Sequence, residues 1–91
     1  MHIKSYKIIV SGIVQGVWYR KYIQKYGKSL NIAGTVKNLP NGKVEIVANL
    51  DNSNRDKFLK LVKKGSPLSK VKEIEIEEIA DIQLTDFMIL Y

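Results

Sequence analysis

Gly12-Ile13-Val14-Gln15-Gly16-Val17-Trp18-Tyr19-Arg20 stands where the hydrophobic rhythm of the chain changes. Before it, residues 4–11 alternate, with Tyr6, Ile8 and Val10 on one face, which predicts a strand. From Tyr19 onward, Tyr19, Tyr22, Ile23, Tyr26 and Leu30 recur at steps of three and four, which predicts a helix with one buried stripe. Lys21, Gln24, Lys25 and Lys28 cover its outer face, and Asn31 marks its end. The quoted stretch is therefore a strand-to-helix loop. Its two glycines let it fold tightly and bring backbone N–H groups close to a ligand. The helix adds the positive end of its dipole at the same spot. Arg20 adds a planar guanidinium able to hold two oxygens of one phosphate. On glycine spacing alone, the loop is either an anion cradle or a tight connection whose arginine faces solvent.

Thr35 to Leu39 reads as a second strand and Lys43 to Leu50 as a third, with Val44, Ile46, Ala48 and Leu50 on one face. Between them, Leu39-Pro40-Asn41-Gly42 is a turn: proline sets φ at its second position, and Asn-Gly accepts the φ that tight hairpins require. Ser53-Asn54-Arg55-Asp56 has the spacing of a capping box, and Phe58, Leu61 and Val62 give the following helix its stripe. Lys63, Lys64, Gly65 and Pro67 end that helix. Val71 to Ile79 is a fourth strand, with Ile74 and Ile76 opposed to Glu73, Glu75 and Glu77; the consecutive Glu77 and Glu78 predict a bulge or a strand end. Phe87 to Tyr91 is a short terminal strand. The order βαββαβ fits an α+β, ferredoxin-like split β-α-β sandwich, expected as an antiparallel sheet with two helices on one face. Residues 1–91 are expected to form one domain.

Composition removes several chemistries. With 45% apolar residues and no cysteine, the chain has no need of disulfide staples and no thiolate nucleophile. The only histidine, His2, sits at a terminus and is a poor candidate for catalysis. No Walker-type Gly-x-x-x-x-Gly-Lys run is present. Strand periodicity sends Glu73, Glu75 and Glu77 to a solvated face rather than into a carboxylate metal site, so no metal is expected. No apolar run suggests a signal peptide or a membrane span, and the cytoplasm is the expected compartment. The formal charge of +6 is uneven: residues 1–45 hold eight cations against Glu45 alone. Such a field attracts small anions or nucleic acid, and charge by itself does not separate the two. Asn38, at the end of the second strand, can donate and accept; it either makes an Asx turn or positions a water.

The loop resembles the signature of the acylphosphatase family, Gly-x-Val-Gln-Gly-Val-x-Phe-Arg, with Tyr19 at the phenylalanine position. Gly34-Thr35-Val36-Lys37-Asn38 and Gly42-Lys43-Val44-Glu45 are similar to the family's second motif, and Gly65-Ser66-Pro67 and Phe87-x-Ile89 also look like it. The family commonly has tryptophan where Thr35 stands and a small residue where Trp18 stands; these departures bear on packing and access. The resemblance implies metal-independent, cofactor-free hydrolysis of the carboxyl–phosphate bond of acyl phosphates. It implies that the backbone of Gln15, Gly16, Val17, Trp18, Tyr19 and Arg20 binds the phosphoryl group, with inorganic phosphate or sulfate able to occupy the loop. Arg20 and Asn38 are the implied catalytic residues, Arg20 meeting charge and Asn38 orienting water. The expected partner is a small acyl phosphate, with neither nucleic acid nor membrane, and the expected state is a monomer. An RNA-binding module of the same architecture needs stacking aromatics, and Lys43 to Leu50 contains none. A domain of a larger carbamoyl-phosphate-using enzyme is the other rival; the chain ends at Tyr91 without an appended domain or metal-ligand cysteines, which weighs against it.

Overall fold

A computed structural model describes residues 3–91, and His2 lies outside the described residues. The elements follow in the order β1 (Lys4–Ile13), α1 (Tyr19–Ser29), β2 (Gly34–Asn38), β3 (Val44–Leu50), α2 (Arg55–Lys64), β4 (Lys70–Ile79) and β5 (Phe87–Leu90). The strands form one sheet in the order β4-β1-β3-β2-β5, in the α+β ferredoxin-like arrangement that the element order implied. Tyr6, Ile8, Val10, Val36, Val44, Ile46, Ala48 and Leu50 are buried along one face, together with Ile23 of α1 and Phe58 and Val62 of α2. Alternation on the strands and three-to-four spacing on the helices thus meet in one apolar layer. Fully burying a side chain such as Phe58 contributes on the order of 1.5–3 kcal/mol.

Turn chemistry acts as the residues dictate. Asn31 takes the left-handed conformation at φ 56, and the Ile32 N–H donates to Gly27 O at 2.8 Å, closing α1. In the β2–β3 turn the Gly42 N–H donates to Leu39 O at 3.2 Å. Gly42 alone takes the left-handed φ, while the Asn41 side chain accepts from the Lys43 N–H at 3.0 Å. The expected capping box at Ser53–Asp56 is replaced by one set earlier: Asp51 Oδ1 accepts from the Ser53 and Asn54 amides at 2.8 and 3.0 Å, and Asn54 Oδ1 accepts from the Asp51 amide at 3.0 Å. The Ser53 hydroxyl and these amides hold the Asp51 carboxyl below its ordinary pKa.

Two expectations need correction. The sheet is mixed, because β5 pairs parallel with β2, while the other pairs are antiparallel. The chain leaves β4 at one edge and must reach the far side of β2, four strand spacings or about 19 Å away. Residues 80–86 reach at most about 26 Å, and they are fastened to one rim of the sheet. The Ile82 N–H donates to Ser5 Oγ at 3.0 Å, Ser5 donates to Asn49 Oδ1 at 2.7 Å, and Asn49 Nδ2 donates to Ile82 O at 3.1 Å. Held there, the chain enters β5 at the end where β2 begins and runs beside it in the same direction. The second correction concerns the bulge. β4 continues unbroken through Glu77 and Glu78, and the register shift falls between Ser11 and Gly12 of β1, opposite Lys72. Both acids stay on an exposed edge strand, where they face Lys7 and Lys4 at 3.5 Å, so nothing forces the backbone to distort.

Candidate active site

The loop between β1 and α1 opens at the sheet end that also holds the termini of β2 and β5. Gly16 has φ 72 and Trp18 has φ 66, so two residues of this short loop are left-handed. Such residues turn neighbouring N–H groups toward a shared point. Trp18 is also the first residue of the α1 cap; no side chain caps the helix, and its first turn holds no acid. The opening N–H groups of α1 therefore face outward without a carboxylate to compete for them. They open on a cavity of about 450 Å³ walled by Gly16, Trp18, Arg20, Lys21, Ile89 and Tyr91.

Two side chains clamp the loop from opposite sides. Gln15 Nε2 donates to Leu39 O and to Lys43 O, both at 2.8 Å, tying the loop to the β2–β3 turn. The buried Ser66 donates its hydroxyl to Val17 O at 2.6 Å, tying it to the segment after α2. Tyr19 is buried beneath, its hydroxyl donating to Val62 O at 2.8 Å, so the extra oxygen of a tyrosine finds a partner in the last turn of α2. Burial, and then the neighbouring Tyr26, push the Tyr19 phenol well above its ordinary pKa, so it remains a neutral donor.

Arg20 projects from the first turn of α1 toward β5. Its Nη1 donates to Leu90 O at 3.3 Å, and the guanidinium carbon lies 4.9 Å from the centre of the Tyr91 ring. A planar cation over an aromatic face gains about 0.5–1 kcal/mol at an exposed site, which favours one orientation of the fork. Asn38 ends β2, one pairing step beyond the Lys37–Leu90 register. It is not part of the cavity wall that holds Arg20, but it stands beside the strand to which Arg20 is tied. Its Oδ1 is buried without a hydrogen-bond partner. Leaving an acceptor dry costs about 1–3 kcal/mol, a cost that a donor arriving with a ligand or water removes.

The sequence profile of the family described as Acylphosphatase matches residues 6–89, nearly the whole chain. The chain belongs to the acylphosphatase family. An acylphosphatase of Archaeoglobus fulgidus is 40% identical over 85 residues, covering 93% of this chain and 96% of its own length. The crystal structure of acylphosphatase from Bacillus subtilis superimposes with a TM-score of 0.90 at 40% identity, over 96% of this chain and 98% of that one. HypF of T. kodakarensis contains a similar region, with TM-score 0.85 and 33% identity; 97% of this chain matches 12% of that protein. An acylphosphatase-family chain with this geometry brings Gly16, Trp18, Arg20 and the α1 N-terminus together. The Gln15 side chain faces the hairpin, and neither Gln15 nor Val17 is part of the cavity wall. Sequence reasoning missed the clamping roles of Gln15 and Ser66 and the stacking of Tyr91. The Gly65-Ser66-Pro67 motif marked the place of Ser66, but the bond that explains it spans 49 residues of sequence.

Proposed function

We propose that this chain hydrolyses acyl phosphates to a carboxylate and inorganic phosphate, with the phosphoryl oxygens held by the backbone of residues 15–20 and the Arg20 guanidinium. The observation that carries the mechanism is the unpartnered, buried Oδ1 of Asn38 at the end of β2, next to the strand whose Leu90 carbonyl holds Arg20. A water donating to that oxygen keeps a lone pair for the phosphorus. The new bond is water oxygen to phosphorus, and the bond that breaks is phosphorus to acyl oxygen. The leaving carboxylate takes the electron pair, and the water proton passes to a phosphoryl oxygen. Charge on those oxygens is what the cradle meets, and phosphoryl transfer depends chiefly on positioning and charge stabilisation.

A carboxylate leaves without a strong general acid, so the mechanism needs neither metal nor cofactor. Among the described residues no three His, Cys, Asp or Glu side chains converge as a metal site would require. The test is hydrolysis of benzoyl phosphate by purified protein in a chelator. Turnover is expected to persist; activity that vanishes with the chelator and returns with a divalent ion refutes the mechanism. No helix among the described residues is long and apolar enough to cross a membrane. The cysteine-free chain is proposed to work as one domain, monomeric and cytoplasmic, and light scattering on a sizing column tests its oligomeric state.

A further inference from the structure

The indole of Trp18 is 72% exposed, and it walls two cavities at once: the phosphate cradle and a neighbouring groove of about 300 Å³ completed by Val17, Tyr22, Pro67 and Leu68. Leu68 is 71% exposed. Two large apolar side chains held in water, on a rim continuous with a polar site, are the usual mark of a surface that a ligand covers. This rim is also rigid. Ser66 is hydrogen-bonded to Val17 O at 2.6 Å, and the Ser69 N–H donates to Ser66 O at 3.1 Å, so Pro67 and Leu68 form the tip of a tight turn fixed to the cradle. The Trp18 backbone is set by the loop itself, since its φ of 66 belongs to the conformation that shapes it.

Reaction geometry says what should lie there. In-line displacement places the attacking water and the leaving group on opposite sides of phosphorus. The water belongs with Asn38 at the end of β2. Pro67 and Leu68 lead into β4, at the opposite edge of the sheet order β4-β1-β3-β2-β5, with β1 and its loop between them. The departing acyl group therefore points toward the Trp18–Leu68 rim.

We infer that Trp18, Tyr22, Pro67 and Leu68 form an acyl-group subsite that selects acyl phosphates with bulky apolar, above all aromatic, acyl parts. The inference rests on the reading of the loop as the phosphate cradle, and the experiment separates the two. Benzoyl phosphate and acetyl phosphate are compared by kcat/KM in the parent, in Leu68→Ser and in Trp18→Ala, alongside the competitive inhibition constant of inorganic phosphate. Because the two leaving groups differ in basicity, the change in their ratio on substitution is the readout. Leu68→Ser is expected to lower kcat/KM for benzoyl phosphate about threefold to tenfold, as loss of a partly buried apolar contact implies. Acetyl phosphate turnover and phosphate inhibition should stay within about twofold of the parent. Trp18→Ala should shift the ratio in the same direction. A ratio unmoved by both variants overturns the subsite, and so does an equal fall for both substrates and for phosphate binding, which makes Leu68 a support of the cradle. A parent that hydrolyses neither substrate overturns the cradle reading itself.

Discussion

Gln15→Glu is the sharpest perturbation of the site, because it changes one atom's chemistry and leaves the shape alone. In the native protein Nε2 gives its two hydrogens to Leu39 O and Lys43 O at 2.8 Å each. A carboxylate there offers no hydrogen and faces two carbonyl oxygens. Leu39 O and Lys43 O keep the Gly42 and Leu39 amides as partners, so two lost bonds at about 0.5–1.5 kcal/mol each come to roughly 1–3 kcal/mol at pH 7. For a chain of this size that is a fall in Tm of about 5–20 °C. Asn38 directly precedes Leu39, so the same change loosens the residue proposed to hold the water, and kcat should drop about tenfold to a hundredfold. The pH dependence has a fixed sign. Facing acceptors, the introduced carboxyl titrates above the value near 4.3 of an unfolded glutamate. Between those two values the folded form binds more protons than the unfolded form, so stability falls as pH rises through that window. The deficit relative to the parent is therefore complete above the folded pKa and shrinks as pH drops toward about 4, where a protonated carboxyl returns one donor. Thermal melts of both proteins across pH, with kcat at each point, make the assay. A variant melting within about 1 °C of the parent at pH 7 and keeping its kcat would refute the role assigned to the Gln15 side chain.

Three further outcomes are expected. Arg20→Ala should lower kcat/KM by about 10²–10³, the usual loss for one preorganised charge-stabilising donor, with Tm nearly unchanged; a variant that unfolds makes Arg20 structural. Asn38→Ala should cut kcat far more than it weakens competitive inhibition by phosphate, and its melt should move little because Oδ1 has no partner to lose; equal loss in both kinetic measures moves Asn38 into the phosphate cradle. Phosphate or sulfate should change Trp18 fluorescence saturably, with a midpoint equal to the competitive inhibition constant, and Arg20→Ala should abolish the response. Flat fluorescence under competitive inhibition means the indole does not sense the site.

Much of this molecule is legible in one line of sequence because its signals are local. The period change at Tyr19, the Pro40-Asn41-Gly42 turn and the helix stop at Asn31 each act within a few residues, and each appears where the pattern put it. The strand-to-helix loop between β1 and α1 was legible for the same reason. What stayed hidden depends on distance. The parallel pairing of β5 follows from the rim bonds of Ser5, Asn49 and Ile82 and from Phe87, whose ring fills the space left by the missing side chain of Gly27. The bulge arises opposite Gly12, not at the paired glutamates, because an exposed edge tolerates them while the close approach of Lys70 to Gly12 leaves no room for a side chain. The side-chain role of Gln15 was equally unreadable: its partners lie 24 and 28 residues away, and nothing in a glutamine's neighbours reveals whether it faces a ligand or a carbonyl.

The strand order also governs when the cradle comes into being. β1, which carries the loop, takes both of its partners from far along the chain: Tyr6 pairs with Ala48 on one side and Glu78 on the other. The loop is then clamped by Leu39, Lys43 and Ser66, and Arg20 is aimed by Leu90 and Tyr91. No half of the molecule contains a finished site. Closing such long stretches of chain before any contact rewards them makes for slow folding, and catalytic competence arrives with the last sheet edge rather than with the first hairpin. Phosphate, on the proposed reading of this loop, would bind only a loop that all these late contacts hold in shape, and so would act as a latch that favours the complete sheet over any partly assembled one.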